Sequence, residues 1–474
     1  MSPGSIVYAG KTVCLQILDR QCVELCFDRR GAAINKLDRL AIQELGDALR
    51  AVTKLEGVRG LLITSTKDTF VVGADITEFP QIFQLPDVAL AAVFQQANEV
   101  MSALEDLPVP TVVAINGFAL GGGLELALAA DFRVMSTRAE VGLPEVTLGI
   151  FPGFGGTVRM PRVAGIEAAL DWITSGTKRT AEQAMTAGVV DAVVPGSELR
   201  RSGLEFLDKA IVGQYDWRAR RAFKRKPIRE SAQQQPLIET VVRTLEIRSM
   251  RTHEPAALDA VRLMSSSMRL GRDAAVALET AAFVRVVKTQ AAQSLVQIFL
   301  NEQRLKRQSK ASTDDAGSLP MGSASETVRR VFAAYKMVLQ QLVREGVDLS
   351  LIDQAFDAFG WPLRPEAREL VTTVRGPGKC DAEAHDIIMR MMIAIVAEAA
   401  RCLEDAVAGS PAEVDMALLV GLALPRYLGG ALKYADWLGL DNVILLSERY
   451  SRFGKLYAVP SGLRARARAG ENYY

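Results

Sequence analysis

Two acidic residues of this chain lie in segments that are otherwise apolar and rich in glycine. Glu125 follows Asn116-Gly117-Phe118-Ala119-Leu120-Gly121-Gly122-Gly123-Leu124 and precedes Leu126-Ala127-Leu128-Ala129-Ala130-Asp131. Glu145 stands in Gly142-Leu143-Pro144-Glu145-Val146-Thr147-Leu148-Gly149-Ile150-Phe151-Pro152-Gly153-Phe154-Gly155-Gly156-Thr157. Two carboxyl groups in apolar settings can share a water and exchange protons. For Glu125 the local pattern leaves two readings open, a cap on the helix dipole or projection into a cleft. Three successive glycines at a strand-to-helix junction allow a tight turn and close approach of a ligand to bare amides. Val71-Val72-Gly73-Ala74-Asp75-Ile76-Thr77-Glu78-Phe79 follows a strand and offers a second turn of that kind. Neither is a P-loop or a dinucleotide turn, because no Gly-Lys-Ser/Thr follows and no GxGxxG pattern occurs there.

The residue inventory removes other chemistries. Only His253 and His385 occur, so a multi-histidine metal centre cannot form within one chain. A Ser-His or Cys-His mechanism would have to use one of them, and neither has a motif around it. Both read as surface or structural residues. The five cysteines, Cys14, Cys22, Cys26, Cys380 and Cys402, lack CxxC spacing and read as reduced thiols of a cytoplasmic protein. Lysine plus arginine total 56 against 55 acids, a formal charge of +1, which argues against a protein organised around nucleic acid or anionic membrane. The longest uncharged run, Leu107 to Leu124, holds two prolines, an asparagine and glycines, so no membrane span is expected. Met1-Ser2-Pro3-Gly4-Ser5 shows no basic region leading into an apolar stretch, so no export signal is expected.

The elements that must hold these turns follow from periodicity. Val13–Leu18 and Cys22–Phe27 predict a hairpin around Asp19-Arg20-Gln21. Helices are predicted at about Leu37–Leu55 and Leu90–Leu104, and strands at Gly60–Thr64, Thr111–Ile115 and Phe132–Met135. Such alternation makes about the first 190 residues α/β. Beyond about Pro195 the pattern is helical. The 474 residues, 49% of them apolar, suit about three domains at roughly 150 residues each. Arg218–Lys226 carries six cations in nine residues and reads as a solvated linker face. Ser309 to Ser325 is small and polar, a linker. Gly346–Phe356 and Gly409–Leu418 form a faint repeat, each reaching a proline soon after, and Ser410-Pro411 is a good helix start.

Together, the three glycine-bearing segments resemble the enoyl-CoA hydratase (crotonase) family. The layout of the chain is similar to the multifunctional α subunits of bacterial fatty-acid oxidation complexes, from Ile6 to about Lys310 and again from about Val328 to Tyr474. This resemblance implies an α/β spiral (ββα) domain over residues 1–195, an all-α extension over 196–310, and an all-α duplicated dehydrogenase-type domain over 326–474. It implies an oxyanion hole from the amides of Ala74 and Gly122 and catalytic roles for Glu125 and Glu145. Glu302, in Phe299-Leu300-Asn301-Glu302-Gln303, is an implied substrate contact. The implied reaction is hydration of trans-2-enoyl-CoA to 3-hydroxyacyl-CoA, with 3-enoyl to 2-enoyl isomerisation open to the same pair. The substrate is a coenzyme A thioester, and no metal or other cofactor is implied.

Where that family carries an NAD-binding domain with a catalytic histidine, this chain has the linker 311–325. No GxGxxG follows a strand, and Gly376-Pro377-Gly378 lacks a third glycine and a βαβ setting. The His-Phe-Phe-Asn-Pro motif has no counterpart, and Arg329 and Val420 stand where the family has an asparagine and a tyrosine. Dehydrogenase activity is therefore expected to be absent. The implied partners are the acyl-CoA and either a thiolase subunit or a second copy of the chain. The alternative is a non-catalytic scaffold binding a thiolase or another partner, since the C-terminal half would otherwise have no chemistry to support.

Overall fold

The glycine turns gain their positions from a sheet that changes direction once. A computed structural model describes residues 3–228, 234–314, 321–363, 365, 367–368 and 383–474. Its main sheet comprises β1 (Ile6–Ala9), β2 (Val13–Ile17), β3 (Cys22–Phe27), β4 (Gly60–Ser65), β5 (Thr111–Ile115), β7 (Phe132–Ser136) and β10 (Ala192–Val194), in that spatial order. The first three pair antiparallel, with Cys14 opposite Cys26 and Gln16 opposite Glu24, and the predicted turn Asp19–Gln21 closes the hairpin. From β3 onward every pairing is parallel. Parallel strands are covered on both faces, and Leu61, Leu62, Ile63, Val112, Val113 and Ile115 are accordingly fully buried. A second small sheet, β6 (Ala119–Leu120), β8 (Glu140–Gly142) and β9 (Arg179–Thr180), was not legible in the sequence, its strands being only two or three residues long.

Helices join the parallel strands. α1 (Arg39–Lys54) turns Ala41, Leu45, Ala48, Leu49 and Val52 inward and is capped by Asp38, which accepts from the Ala41 amide at 2.9 Å. That cap leaves Leu37 outside the helix, free to bridge to Ala74. α2 (Asp87–Glu105) precedes β5, and α3 (Gly122–Ala129) links β5 to β7. The turns Val71–Ala74 and Gly121–Gly123 thus follow β4 and β5 at their carboxyl ends, where open parallel sheets bind ligands.

The chain divides into two compact units, residues 1–245 with 255–288, and residues 246–254 with 289–474. All ten strands of the described residues lie in the first, and the helical character of the described residues after Val194 is as expected. The expected break at residue 195 is displaced, for a physical reason. Leu199, Leu207 and Ala210 of α5 (Leu199–Ile211) pack on Leu62, Val112 and Phe132 of the sheet, so this helix completes the α/β core. α4 (Gly156–Ala164), α6 (Trp217–Arg225) and α7 (Arg272–Val286) belong to the same unit.

The second unit is helical. Its core includes Ile387, Met391, Met392, Ile393, Ile395 and Val396 of the helix Ala384–Glu404, which is apolar nearly all round and buried. Both halves of the faint repeat start helices, Leu349–Ala358 capped by Asp348 and Pro411–Gly421 capped by Ser410. Part of the expected linker 311–325 is helical, since Ala311-Ser312-Thr313-Asp314 contains no helix breaker. One helix runs Gln290–Asp314 and the next begins at Met321. Residues 315–320 lie outside the described residues, as do Gly376-Pro377-Gly378 and Cys380. Cys14, Cys22, Cys26 and Cys402 are free thiols. Among the described residues no helix is long and apolar enough to cross a membrane.

Candidate active site

Ala74 sits in an isolated parallel bridge with Leu37. The bridge uses the Gly73 carbonyl, 2.8 Å from the Leu37 amide, and the Asp75 amide, 3.4 Å from the Leu37 carbonyl. Backbone groups alternate in direction along an extended chain, so the amide of Ala74 itself faces away from Leu37. It has no acceptor among the described residues. Gly122 opens α3, and its amide belongs to the helix's first, unpaired turn. The two turns touch: a Cβ on Gly73 would lie 2.8 Å from the Leu120 carbonyl oxygen and 3.6 Å from the Gly122 nitrogen. Gly121 has φ +52°, and a Cβ on Gly123 would stand 2.0 Å from the Val71 carbonyl oxygen. Two free amides, one at a positive helix end, therefore border one cleft with Glu125 and Glu145. Its remaining wall is apolar, with Ile76, Phe79, Phe94, Leu148, Ile150, Phe151, Phe154 and Phe283.

The two carboxyls are held differently. Glu125 is 2% exposed, and its Oε1 accepts from the amides of Phe154 at 2.8 Å and Gly156 at 2.7 Å. These amides belong to the entry of α4, so Glu125 projects into the cleft instead of capping its own helix. Burial pushes its proton affinity up, the acidic neighbours Glu145 and Glu279 add to this, and the two amides oppose it. Glu145 lies in the turn Pro144–Leu148, and its Oε2 is buried without a partner. Burial pushes Glu145 up to about 8, a backbone bond opposes this, and Glu279 adds to the rise. The two donated amides favour the anion at Glu125, whereas no donor meets Oε2 of Glu145.

Sequence reasoning missed a third carboxyl at this loop. Glu279, fully buried on α7, accepts from the Gly155 amide at 2.7 Å and the Thr157 amide at 3.1 Å. Burial pushes it up to about 7 against these bonds. The available signal was an acid alone in the apolar run Ala274-Ala275-Val276-Ala277-Leu278-Glu279-Thr280-Ala281-Ala282-Phe283.

The basic cluster Arg218–Lys226 is not a solvated face throughout. Arg221 and Lys224 are buried because the far end of α3 presents unpaired carbonyls. Lys224 donates to the carbonyls of Leu128, Ala129 and Ala130 at 3.1, 2.8 and 3.0 Å. Arg221 bonds Asp131, which also receives the Thr111 amide at the start of β5. Cations at the negative end of α3 complement its dipole and fix the helix whose other end carries Gly122. Burial lowers Lys224 to about 8, against the attraction of Glu105 and Asp131.

Glu302 belongs to the second unit and pairs with Lys306 at 3.8 Å, with 42% of its side chain exposed. His253 bonds the Ala358 carbonyl at 3.0 Å and His385 is exposed, in keeping with structural and surface roles.

Residues 21–248 match the family described as enoyl-CoA hydratase/isomerase. A fatty acid oxidation complex subunit alpha from Pseudomonas syringae pv. tomato is 45% identical over 305 residues, covering 64% of this chain and 42% of its own. A protein of the same name from Pseudomonas aeruginosa is 41% identical over 361 residues, covering 74% of this chain and 50% of its own. The crystal structure of an enoyl-CoA hydratase from Bacillus anthracis aligns with 61% of this chain and 96% of its own, at 25% identity and a TM-score of 0.39. The chain spans about half the length, or less, of the curated relatives it matches.

Proposed function

We propose that this chain, whose first unit carries a crotonase-fold domain of the enoyl-CoA hydratase/isomerase family, hydrates trans-2-enoyl-CoA to 3-hydroxyacyl-CoA in fatty-acid β-oxidation. The observation that carries the reading is one apolar cleft bordered by two buried glutamates and two unengaged amides. The thioester oxygen lies between the amides of Ala74 and Gly122. Glu125, as the anion, takes a proton from water while the water oxygen bonds to C3 of the enoyl group. The π electrons move onto the thioester oxygen, where two preorganised donors meet the developing charge. Losing one such donor costs about 3–4 kcal/mol in comparable sites. Glu145, holding its proton, delivers it to C2 as the carbonyl reforms. A proton passing from Glu125 to Glu145 then restores the starting state. Atoms and electrons balance with water and thioester alone.

Isomerisation of 3-enoyl to 2-enoyl-CoA needs only one carboxyl to move a proton between carbons, and it is a side activity to be assayed. Glu302 is proposed as a substrate contact, on resemblance alone. The relatives' name, subunit of a complex, supports a partner subunit such as a thiolase. Following the loss of enoyl-thioester absorbance with crotonyl-CoA and a longer 2-enoyl-CoA tests the reading. Turnover of either is expected. No turnover of either, with a partner subunit bound, would replace it by the scaffold alternative.

A further inference from the structure

Four successive amides at the entry to α4 divide between two buried carboxylates. Those of Phe154 and Gly156 donate to Glu125, and those of Gly155 and Thr157 donate to Glu279. The Thr157 hydroxyl adds a third bond to Glu279, at 2.5 Å. Within this run Gly155 takes φ +94°, and a Cβ there would stand 1.8 Å from Arg159 Nη1. We propose that Glu279 is a positioning residue, gripping Gly155 and Thr157 so that the neighbouring amides of Phe154 and Gly156 aim Glu125 into the cleft. The proposal rests on the hydratase reading in so far as Glu125 is the base.

Both oxygens of Glu279 accept bonds, so the arrangement calls for its anion; a proton on either would face a donor. Several groups face it. Arg159 of α4 lowers its proton affinity while bonding Glu105 at 2.8 Å and the Phe154 carbonyl at 3.2 Å. Its negative charge raises the proton affinity of Glu125 of α3 and of Glu145. Asn98 of α2 is neutral and holds the same loop through the Gly153 carbonyl at 2.9 Å. Removing Glu279 should therefore do two things. The loop loses one of its holds, and the catalytic carboxyls lose a negative neighbour.

The test is Glu279→Gln in the full chain. With crotonyl-CoA, kcat should fall about 10- to 100-fold, the scale of a misaligned catalytic group. KM should change by less than about threefold, since binding contacts remain. The alkaline limb of the rate profile should move to lower pH, because Glu145 ionises more readily without that charge. Glu279→Asp keeps the charge and loses reach, so it should lose rate while restoring the limb. If Glu279→Gln does not fold, Thr157→Val, which removes one donor and leaves the carboxylate, should lose rate several-fold. Folded Glu279→Gln or Thr157→Val with wild-type kcat and pH profile would overturn the proposal. Should the wild type hydrate no enoyl-CoA, the hydratase reading alone fails. Infrared titration of the buried carboxyls then decides: Glu279→Gln must lower the pH at which the protonated band disappears, and an unmoved band refutes the role.

Discussion

Replacing Glu145 by glutamine should separate what this carboxyl does for catalysis from what it costs the fold. Glu145 is 9% exposed, its Oε2 is unpartnered, and burial pushes it up to about 8 from an ordinary 4.5. The gap of about 3.5 pH units, at ~1.4 kcal/mol each, corresponds to about 5 kcal/mol. The folded state binds this proton more tightly than the unfolded chain does. The contribution is therefore complete below pH 4.5 and lost as pH rises through about 8. Because Glu125 shares the charge and solvent reaches the cleft, about half of that, ~2–3 kcal/mol, is the expected net loss. Glutamine has no proton to lose. Glu145→Gln should match the wild type near pH 5 and melt several degrees higher at pH 9. It should also lower kcat for hydration by about 100-fold or more, since an amide cannot deliver the proton. Calorimetry of both proteins from pH 5 to 9, with hydration rates on the same samples, reads both effects. A constant separation of the two melting temperatures across that range would refute the reasoning.

Gly122→Pro removes one of the two amides and should cut kcat/KM about 100- to 1,000-fold; a folded variant with full activity would mean another donor holds the carbonyl. Lys224→Met leaves three carbonyls of α3 and part of the charge on Glu105 unmatched. It should destabilise the first unit by about 3 kcal/mol in chemical denaturation, and a cost below about 1 kcal/mol would contradict the structural role given to that lysine. NADH fluorescence titration should show no saturable micromolar binding, and NAD should not be reduced with 3-hydroxybutyryl-CoA. Binding together with turnover would reveal a nucleotide site.

What the sequence disclosed was what local chemistry determines. Thr111–Ile115 is a strand because four β-branched residues in five precede a glycine turn, and Glu125 and Glu145 stand out as acids among apolar neighbours. Glu279 escaped because its partners, Gly155 and Thr157, are more than 120 residues away, and only folding brings them together. The Arg218–Lys226 cluster misled for a related reason. Its charge pattern suits water, and nothing local announces that α3 ends beside it with carbonyls to satisfy. The division near residue 288 was hidden as well, because a helix packing on a sheet and one packing on other helices carry the same periodicity.

Hydration of crotonyl-CoA in D2O, followed by NMR of the product, tests the central claim most directly. The wild type should form 3-hydroxybutyryl-CoA with one deuterium at C2 in a single configuration, and Glu125→Gln and Glu145→Gln should each form almost none. No product from the wild type, or stereospecific product from Glu145→Gln at the wild-type rate, would contradict the account.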